Sequence, residues 1–368
     1  MKISLVFIGT TGAGPVYSYE MAKALAADPR CQLQVIISRN VCNLDVWVST
    51  FADSDVDFHY VETYSRSKLS VFLNTFNLRR KYRVYSLIRS FRPDVVYSPF
   101  TLLWERFLFG MMHGKAYIVK TIHDATLHDS YHNIGDFMTS VLNWGSMRYV
   151  DSIVLLNRRD QPSVEQHYHR PTVVIPHASF SYYAVKPVGR DFTVRKTIAF
   201  IGRIEPYKGL DLLVEAYRQL KTPGVRLIIA GSGKIEERLL ESIREDSRIE
   251  LINRYINDEE FQDIFSRTDF VVLPYKRASQ SGVIPMCFAN RRMVVATNVG
   301  ALSEQVPENT GVLVAPSAKE IAGAIDHLYE RPEFIHRYGE AAYDYAHSCL
   351  TWENSANLLI SHLSTVVG

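Results

Sequence analysis

The chain has 368 residues, of which 47% are hydrophobic, and its formal net charge is +2 at pH 7. This length exceeds one average domain, so we expect two domains, each with enough apolar residues for its own core. The near-neutral charge excludes a protein that binds nucleic acid over its whole surface.

The four cysteines are scattered, without the spacing of a disulfide framework or a metal site. This usage is typical of a reducing compartment, and we expect a cytoplasmic protein. The apolar run at residues 1–8 is short and ends in glycines, so it predicts a buried strand rather than a signal peptide. No stretch reaches the roughly 18 apolar residues of a spanning helix. Any membrane contact is therefore expected to be peripheral, on the inner face of the cell membrane.

The first strand leads into a glycine-rich loop and then a helix over residues 17–27. Gly9, Gly12 and Gly14 do not match G-x-G-x-x-G, and the acidic residue that would hold a ribose about 20 residues later is absent. A dinucleotide cofactor is therefore not predicted. The glycines serve either a turn alone or a turn beside a ligand.

Asp55 and Asp57 form a pair of hard oxygen ligands of the kind that Mg²⁺ or Mn²⁺ prefers. They lie in an acidic stretch, residues 53–58, that is typical of a solvated surface loop. We predict no metal site there.

Residues 68–92 combine apolar side chains with seven cations. An amphipathic element of this kind can lie on an anionic membrane surface. The alternative is an ordinary helix with a charged outer face. The cations are Lys68, Arg79, Arg80, Lys81, Arg83, Arg89 and Arg92.

His123 follows a predicted strand at residues 116–122. The carboxyl end of a strand in an open parallel sheet points at the crevice where ligands bind. His128 and His132 follow with Asp124 nearby, but the tract has no helical His-x3-His preceded by glutamate, so a metal cluster is not favoured.

Alternating strands and helices indicate parallel sheets with crossover helices in both halves. Residues 180–195 mix aromatic, proline and glycine residues without periodicity and predict the interdomain linker. Further strands are expected at residues 33–38, 153–156, 173–175, 225–230, 249–251 and 270–273, and a last helix at 351–366.

One loop carries two cations between a strand and a helix. Residues 198–201 are an apolar run that ends at Gly202, and residues 210–220 have apolar positions at helical spacing. Arg203 and Lys208 therefore lie on a loop leading into a helix N-terminus, where N–H groups and the helix dipole favour phosphate. Arginine grips two phosphate oxygens and lysine adds a point charge. The alternative is a solvated loop.

Two later segments, together with the Arg203 and Lys208 loop, form a recognisable set of motifs. Gln280, Ser281 and Gly282 precede an apolar run, and residues 294–300 read VVATNVG, with Glu304 four positions on. In this order and spacing, the three motifs resemble the C-terminal half of retaining glycosyltransferases of GT-B architecture, the family 4-like or group 1 glycosyltransferases, in a Gln-Ser-Gly variant subgroup. The resemblance covers residues 150–355 well and the first third only loosely.

The resemblance implies an α/β protein of GT-B architecture, with two Rossmann-like parallel-sheet domains facing a deep interdomain cleft. Residues 1–180 would form the acceptor domain and residues 196–350 the domain that binds a nucleotide-sugar donor. The C-terminal helix, residues 351–368, would cross back onto the first domain.

The resemblance also implies site residues. His123 would lie beside the donor sugar, while Arg203 and Lys208 would stabilise the diphosphate, these three being the catalytic residues. The tract at 254–256 would hold the base, and Ser281 with two following amides would face the diphosphate as a nest. The donor-binding set is Gly12, Gly14, Gly202, Gly231, Tyr255, Ile256, Gln280, Ser281, Gly282, Val283 and Glu304.

The chain departs from this family at two positions. Many members carry two glutamates eight residues apart, and the corresponding positions here are Ala278 and Met286. Carboxylate roles therefore cannot be carried over to them.

The resulting hypothesis is a retaining, metal-independent glycosyltransferase (a hexosyltransferase) without a cofactor. It would transfer a sugar from a UDP- or GDP-sugar to a hydroxyl of a lipid-linked or oligosaccharide acceptor, in surface polysaccharide or glycolipid synthesis. The expected partners are donor, acceptor and an anionic membrane surface, and no nucleic acid. The alternatives are a nucleotide-sugar epimerase of GT-B shape and a catalytically silent binding subunit, which the missing glutamates favour.

Overall fold

The structure is a computed structural model that describes residues 1–64, 74, 76–124, 145–180 and 193–367. It divides the chain into two compact units, one formed by Met1–Pro176 with Trp352–Gly368 and the other by His177–Thr351. Most of the predicted linker, residues 181–192, lies outside the described residues, as do His128 and His132.

The first unit is built on a seven-stranded parallel sheet of order β3-β2-β1-β4-β5-β6-β7. Most strands are continuous apolar runs, as expected of parallel strands that are buried on both faces. The strands are β1 Lys2–Phe7, β2 Gln32–Ser38, β3 Asp57–Val61, β4 Val95–Ser98, β5 Tyr117–Ile122, β6 Ser152–Leu155 and β7 Thr172–Val174. The described helices before the second unit are α1 Gly14–Ala27, α2 Leu44–Phe51, α3 Leu78–Phe91, α4 Glu105–Met112 and α5 Gln161–Tyr168.

The second unit has a six-stranded parallel sheet of order β10-β9-β8-β11-β12-β13. Its strands are β8 Thr197–Ile201, β9 Arg226–Ala230, β10 Ile249–Ile252, β11 Phe270–Leu273, β12 Val294–Thr297 and β13 Gly311–Val314. Its helices are α6 Leu210–Arg218, α7 Glu237–Arg244, α8 Asp258–Arg267, α9 Val283–Ala289, α10 Leu302–Gln305, α11 Ala318–Glu330 and α12 Glu333–Ser348.

The period of two along β8 divides the core of the second unit between the two faces of the sheet. Ile198 and Phe200 join one buried cluster, and Ala199 and Ile201 join the other. Successive side chains of a strand point to opposite faces, so an uninterrupted apolar run needs helices on both. The short apolar segments of the sequence therefore form central strands.

The last helix, α13 Trp352–Val366, packs against α1 within the first unit. The ring of Trp352 meets that of Tyr17 edge-on at 5.0 Å between centroids. Near the other end of α13, His362 Nε2 lies 2.6 Å from the hydroxyl oxygen of Ser152. Aromatic packing and this polar contact both fasten α13 to the first unit.

The Asp55/Asp57 pair does not lie wholly in a loop, which corrects the sequence-based expectation. Asp57 is the first residue of β3. Its carboxylate accepts a hydrogen bond from Gln34 Nε2 at 2.7 Å and lies 2.9 Å from His59 Nε2. The pairing of β3 with β2 explains this, because it aligns Asp57 with Gln34.

No cluster of three or more histidine, cysteine or acidic side chains suited to a metal ion occurs among the described residues. Among the same residues, no helix is long and apolar enough to cross a membrane.

A close backbone approach joins the ends of β8 and β9. Gly231 has φ +148°, and a Cβ atom there would stand 1.9 Å from the carbonyl oxygen of Gly202. No side chain can occupy that space, because the obstacle is backbone rather than a flexible group. Gly231 is therefore required by the packing of these two loops.

We expect Gly231→Ala to lower the free energy of unfolding by about 3 kcal/mol or more, because it combines a clash with backbone strain. Gly224→Ala is the matched control: φ is +75° there but nothing lies within 4 Å of the new Cβ, so it should cost only about 1–2 kcal/mol. Urea unfolding of the three proteins measures the difference. Equal losses in the two variants would contradict the close approach.

Candidate active site

The loops that follow β8 and β9 meet at the carboxyl ends of the second sheet. The Gly202 N–H donates to the carbonyl of Ala230 at 3.0 Å, and the Ile204 N–H donates to that of Ser232 at 2.9 Å. In doubly wound sheets, ligands bind at the carboxyl ends of the strands. Two predicted donor-binding positions, Gly202 and Gly231, therefore lie together at such an edge.

The two predicted cations occupy the next loop in different ways. The Arg203 side chain is 74% exposed, with its guanidinium 3.9 Å from the Glu205 carboxylate, a loose surface pair. Lys208 ends a short 3-10 turn before α6, and its Nζ donates to the Tyr275 hydroxyl at 3.1 Å. The same Nζ lies 3.1 Å from the point where a Cβ on Gly202 would stand. Lys208 is thus fixed beside the strand-end glycine, whereas Arg203 extends into solvent.

Ser281 is held in place through both its backbone and its side chain. Its N–H donates to Gln305 Oε1 at 2.6 Å, and Gln305 Nε2 donates back to its carbonyl at 3.2 Å. Its Oγ lies 3.2 Å from the Tyr275 hydroxyl oxygen and accepts the Val283 N–H at 3.3 Å. The Val283 amide, which was expected to face a diphosphate, therefore donates within its own loop.

Gln280 carries a polar atom that the fold leaves unsatisfied. Its Oε1 is buried and accepts no hydrogen bond from the part of the chain that the structure describes. An unsatisfied buried acceptor costs on the order of 1–3 kcal/mol and calls for an explanation. A ligand hydroxyl or amide that donates to this oxygen would remove the cost.

His177 lies beside the same loop and was not among the predicted site residues. A Cβ on Gly282, which is exposed, would stand 3.8 Å from His177 Nε2. The His177 Nδ1–H donates to the Ala178 carbonyl at 2.8 Å, and burial lowers the pKa of His177. The ring is therefore neutral at pH 7. The Pro176-His177 pair that follows β7 is the sequence feature that could have identified His177 as a site residue.

The tract after β10, predicted to hold the base, separates into an exposed and a buried part. Tyr255 is exposed and Ile256 is buried. Arg254 forms an ion pair with Glu260, whose side chain also accepts the N–H of Asn257 in a capping box. Arg254 and this backbone bond hold the pKa of Glu260 down to about 2. A surface cavity of about 390 Å³ is lined by Arg254, Ile256 and Glu260 but not by Tyr255.

His123 and Gly14 belong to one aromatic cluster in the first unit. The His123 ring stacks on Phe100 at 3.7 Å between centroids and meets Tyr17 edge-on at 4.7 Å. Its Nε2–H donates to the carbonyl of Pro99 at 2.8 Å. Gly14 is the first residue of α1, and a Cβ there would stand 3.3 Å from the Phe100 ring. The start of α1 therefore lies close to the ring that stacks on His123, while Gly12, two residues earlier, is exposed.

The remaining predicted residue, Glu304, is exposed in α10, and its neighbour Gln305 is the residue that binds Ser281. Of the two positions that depart from the family, Met286 lies in α9, and its side chain is buried in the core. The Ala278 carbonyl accepts the Ala301 N–H at 3.2 Å. Neither position offers a carboxylate. The polar groups held by hydrogen bonds or buried at this edge include Lys208, Tyr275, Gln280, Ser281 and Gln305.

Solved structures identify the fold. The chain superposes on the Anabaena protein HepE, solved in complex with UDP, with a TM-score of 0.70 and 16% sequence identity, over 99% of this chain and 100% of that one. The same protein has been solved with UDP-glucose. At this identity the likeness concerns the fold alone, and it confirms the predicted GT-B fold.

The family model that matches this chain lies within the second unit. Residues 195–331 match the family model described as Glycosyl transferases group 1. Alpha-D-kanosaminyltransferase of Streptomyces kanamyceticus is 28% identical over 155 residues, which are 40% of this chain and 40% of that relative. D-inositol 3-phosphate glycosyltransferase of Mycobacterium bovis is 31% identical over 189 residues, 47% of this chain and 38% of the relative. The matched region is thus similar to group 1 glycosyl transferases, and the alignments span about two fifths of the length of these two relatives.

Proposed function

We propose that this protein is a retaining glycosyltransferase. It transfers a sugar from a nucleotide-diphosphate donor, a UDP- or GDP-sugar, to a hydroxyl of a lipid-linked or oligosaccharide acceptor. The product belongs to a surface polysaccharide or glycolipid. The proposal is supported by the family match of residues 195–331 and by the UDP and UDP-glucose complexes of the structural neighbour HepE.

The fixed ammonium of Lys208 is the observation that carries the proposal. An ammonium has three hydrogens, and among the described residues one of them is used, by the Tyr275 hydroxyl. The others can be donated to a ligand oxygen beside Gly202, at the ligand-binding edge of the sheet. A cation in this position suits the diphosphate of a nucleotide sugar.

Charge stabilisation is the proposed source of catalysis. When the bond between the anomeric carbon and the diphosphate oxygen breaks, negative charge grows on the leaving nucleoside diphosphate. Lys208 is held in position before the reaction and Arg203 is exposed enough to fold onto the same group. Preorganised cations of this kind stabilise a transition state more than the ground state. The chemistry so described needs no metal ion.

In this proposal, the sugar is recognised by hydrogen bonding rather than by the cations of the diphosphate site. The buried Gln280 Oε1 accepts a hydroxyl of the donor sugar, which satisfies its hydrogen-bonding capacity. For His123 the proposed role is to position a sugar, and its contacts with Phe100 and Pro99 fix the orientation of its ring.

We expect Arg203→Ala and Lys208→Ala each to slow sugar transfer by on the order of a hundredfold, because each removes a charge that faces the leaving group. Lys319→Ala, which removes an exposed cation elsewhere in the same unit, should change the rate less than twofold. Nucleotide release from a donor and acceptor pair measures all three. Unchanged rates in both site variants would reject the diphosphate site.

A membrane surface is the proposed source of the acceptor. Exposed apolar side chains lie at the start of α3: Phe76 is 65%, Leu78 58% and Tyr82 48% exposed. Arg79 and Arg83 are exposed beside them. Because positions four apart share a helix face, Leu78 with Tyr82 and Arg79 with Arg83 form adjacent apolar and basic rows. Such a surface suits anionic lipid.

Two other cations of the same turn of this helix, Arg80 and Lys81, do not face solvent in the same way, whereas Arg89 near the end of the helix is exposed. Arg80 donates to the carbonyl of Thr63 and to the side chain of Asn74. The Lys81 ammonium lies 5.5 Å from the centre of the Phe107 ring, and burial lowers the pKa of Lys81. Arg79 and Arg83 are therefore the informative substitutions, while residues 65–73 lie outside the described residues.

We expect the double variant Arg79→Gln/Arg83→Gln to bind anionic vesicles about tenfold or more weakly at low salt, since each cation near such a surface contributes about 1 kcal/mol. Arg158→Gln/Arg159→Gln removes the same charge from another exposed site of the first unit and should leave binding unchanged. Co-sedimentation at low and high salt measures both. Equal binding by the two variants would remove the membrane surface from the proposal.

A further inference from the structure

The Tyr275 hydroxyl lies between two groups of the candidate active site. Its oxygen is 3.1 Å from the Lys208 ammonium nitrogen and 3.2 Å from Ser281 Oγ. The Tyr275 side chain is buried, and among the described residues its hydroxyl has these two partners only. Its hydrogen must therefore be shared with one of them.

The chemistry of the partners fixes the direction of the hydrogen bonds. An ammonium group only donates, so Lys208 donates to the Tyr275 oxygen. Tyr275 must then donate its own hydrogen to Ser281 Oγ, because a buried hydroxyl hydrogen without an acceptor is costly. The hydrogen bonds thus run in one direction, from Lys208 to Tyr275 to Ser281.

Ser281 is the last residue in this series of hydrogen bonds, and its hydroxyl acts as a donor. Its Oγ accepts from Tyr275 and also from the Val283 N–H, and a hydroxyl oxygen has two acceptor sites and one hydrogen. Both acceptor sites are occupied, so the hydroxyl hydrogen of Ser281 is left to donate to a ligand. Gln305 holds the Ser281 backbone and prevents it from shifting.

We infer that Tyr275 is a positioning residue for an oxyanion ligand: it holds the Lys208 ammonium in place and directs the Ser281 hydroxyl hydrogen toward the same ligand. Resting on the proposed function, this inference assigns the ligand as the diphosphate of the nucleotide donor. Successive hydrogen bonds polarise one another, so the Ser281 O–H becomes a stronger donor than an isolated serine. The site is then set to receive an acceptor-only group, which a fully ionised diphosphate is.

The test compares two tyrosine hydroxyls of the second unit. Tyr275→Phe keeps the ring, whose centre lies 4.9 Å from the Lys208 ammonium, and removes the bridging oxygen. Tyr217→Phe removes another hydroxyl, which donates to the Val225 carbonyl at 2.6 Å. Binding of UDP, GDP and the corresponding monophosphates is measured by calorimetry, with melting temperatures recorded for each protein.

The diphosphate to compare is UDP or GDP, whichever the wild-type protein binds more tightly. Tyr275→Phe is expected to weaken its binding about tenfold and to weaken binding of the corresponding monophosphate less. Tyr217→Phe is expected to leave both affinities unchanged. After Lys208→Met, Tyr275→Phe should cost less than threefold, because the two residues act on one group. Ser281→Ala gives a second variant that keeps the tyrosine, and it should also weaken diphosphate binding.

The outcomes distinguish failure of the proposed function from failure of the positioning role of Tyr275. A wild-type protein that binds neither diphosphate overturns the proposed function and this inference with it. Diphosphate binding that survives Tyr275→Phe and Ser281→Ala unchanged overturns the positioning role alone. Independent, fully additive effects of Lys208→Met and Tyr275→Phe overturn the directed chain of hydrogen bonds.

Discussion

The candidate site depends on the close backbone contact between the loops that follow β8 and β9. Because a Gly231 Cβ would stand 1.9 Å from the Gly202 carbonyl oxygen, the two strand ends can meet only when residue 231 is glycine. The contact fixes the course of the chain at Gly202, beside which Lys208 lies. From Lys208 the hydrogen bonds continue through Tyr275 to Ser281, so the polar groups of the site rest on this backbone contact.

Much of the second unit could be predicted from the sequence, because its strands are buried on both faces and appear as short, uninterrupted apolar runs. The loop with Arg203 and Lys208 could be located for the same reason: a strand, a glycine and a helical pattern define its ends. The predicted fold is confirmed, but the roles of individual site residues remain proposals. Asp57 was misplaced because its partner, Gln34, is set by the pairing of β2 with β3, which local composition does not reveal.

The residues that sequence reasoning missed act through contacts between distant positions. Gln305 reaches Ser281 across 24 residues, and Tyr275 reaches Lys208 across 67. Neither Gln305 nor Tyr275 is among the residues that define the motifs. Each reaches its partner only because the parallel sheet brings the ends of its strands together. For the same reason the sequence could not separate the exposed Arg79 from Arg80, whose side chain hydrogen-bonds to Asn74. Periodicity identifies a helix face, but the residues packed around the helix determine which of its cations can contact a membrane surface.

The central claim is transfer of a sugar from a nucleotide-diphosphate donor with retention at the anomeric carbon. The most direct measurement incubates the purified protein with UDP- and GDP-sugars, with and without a membrane lipid extract, and follows released nucleotide and the anomeric configuration of the product by NMR. We predict release of a nucleoside diphosphate that requires the extract, persists with EDTA, and yields a glycoside of the donor's configuration. Epimerised nucleotide sugar without acceptor, inverted product, or nucleotide binding without release would contradict the claim.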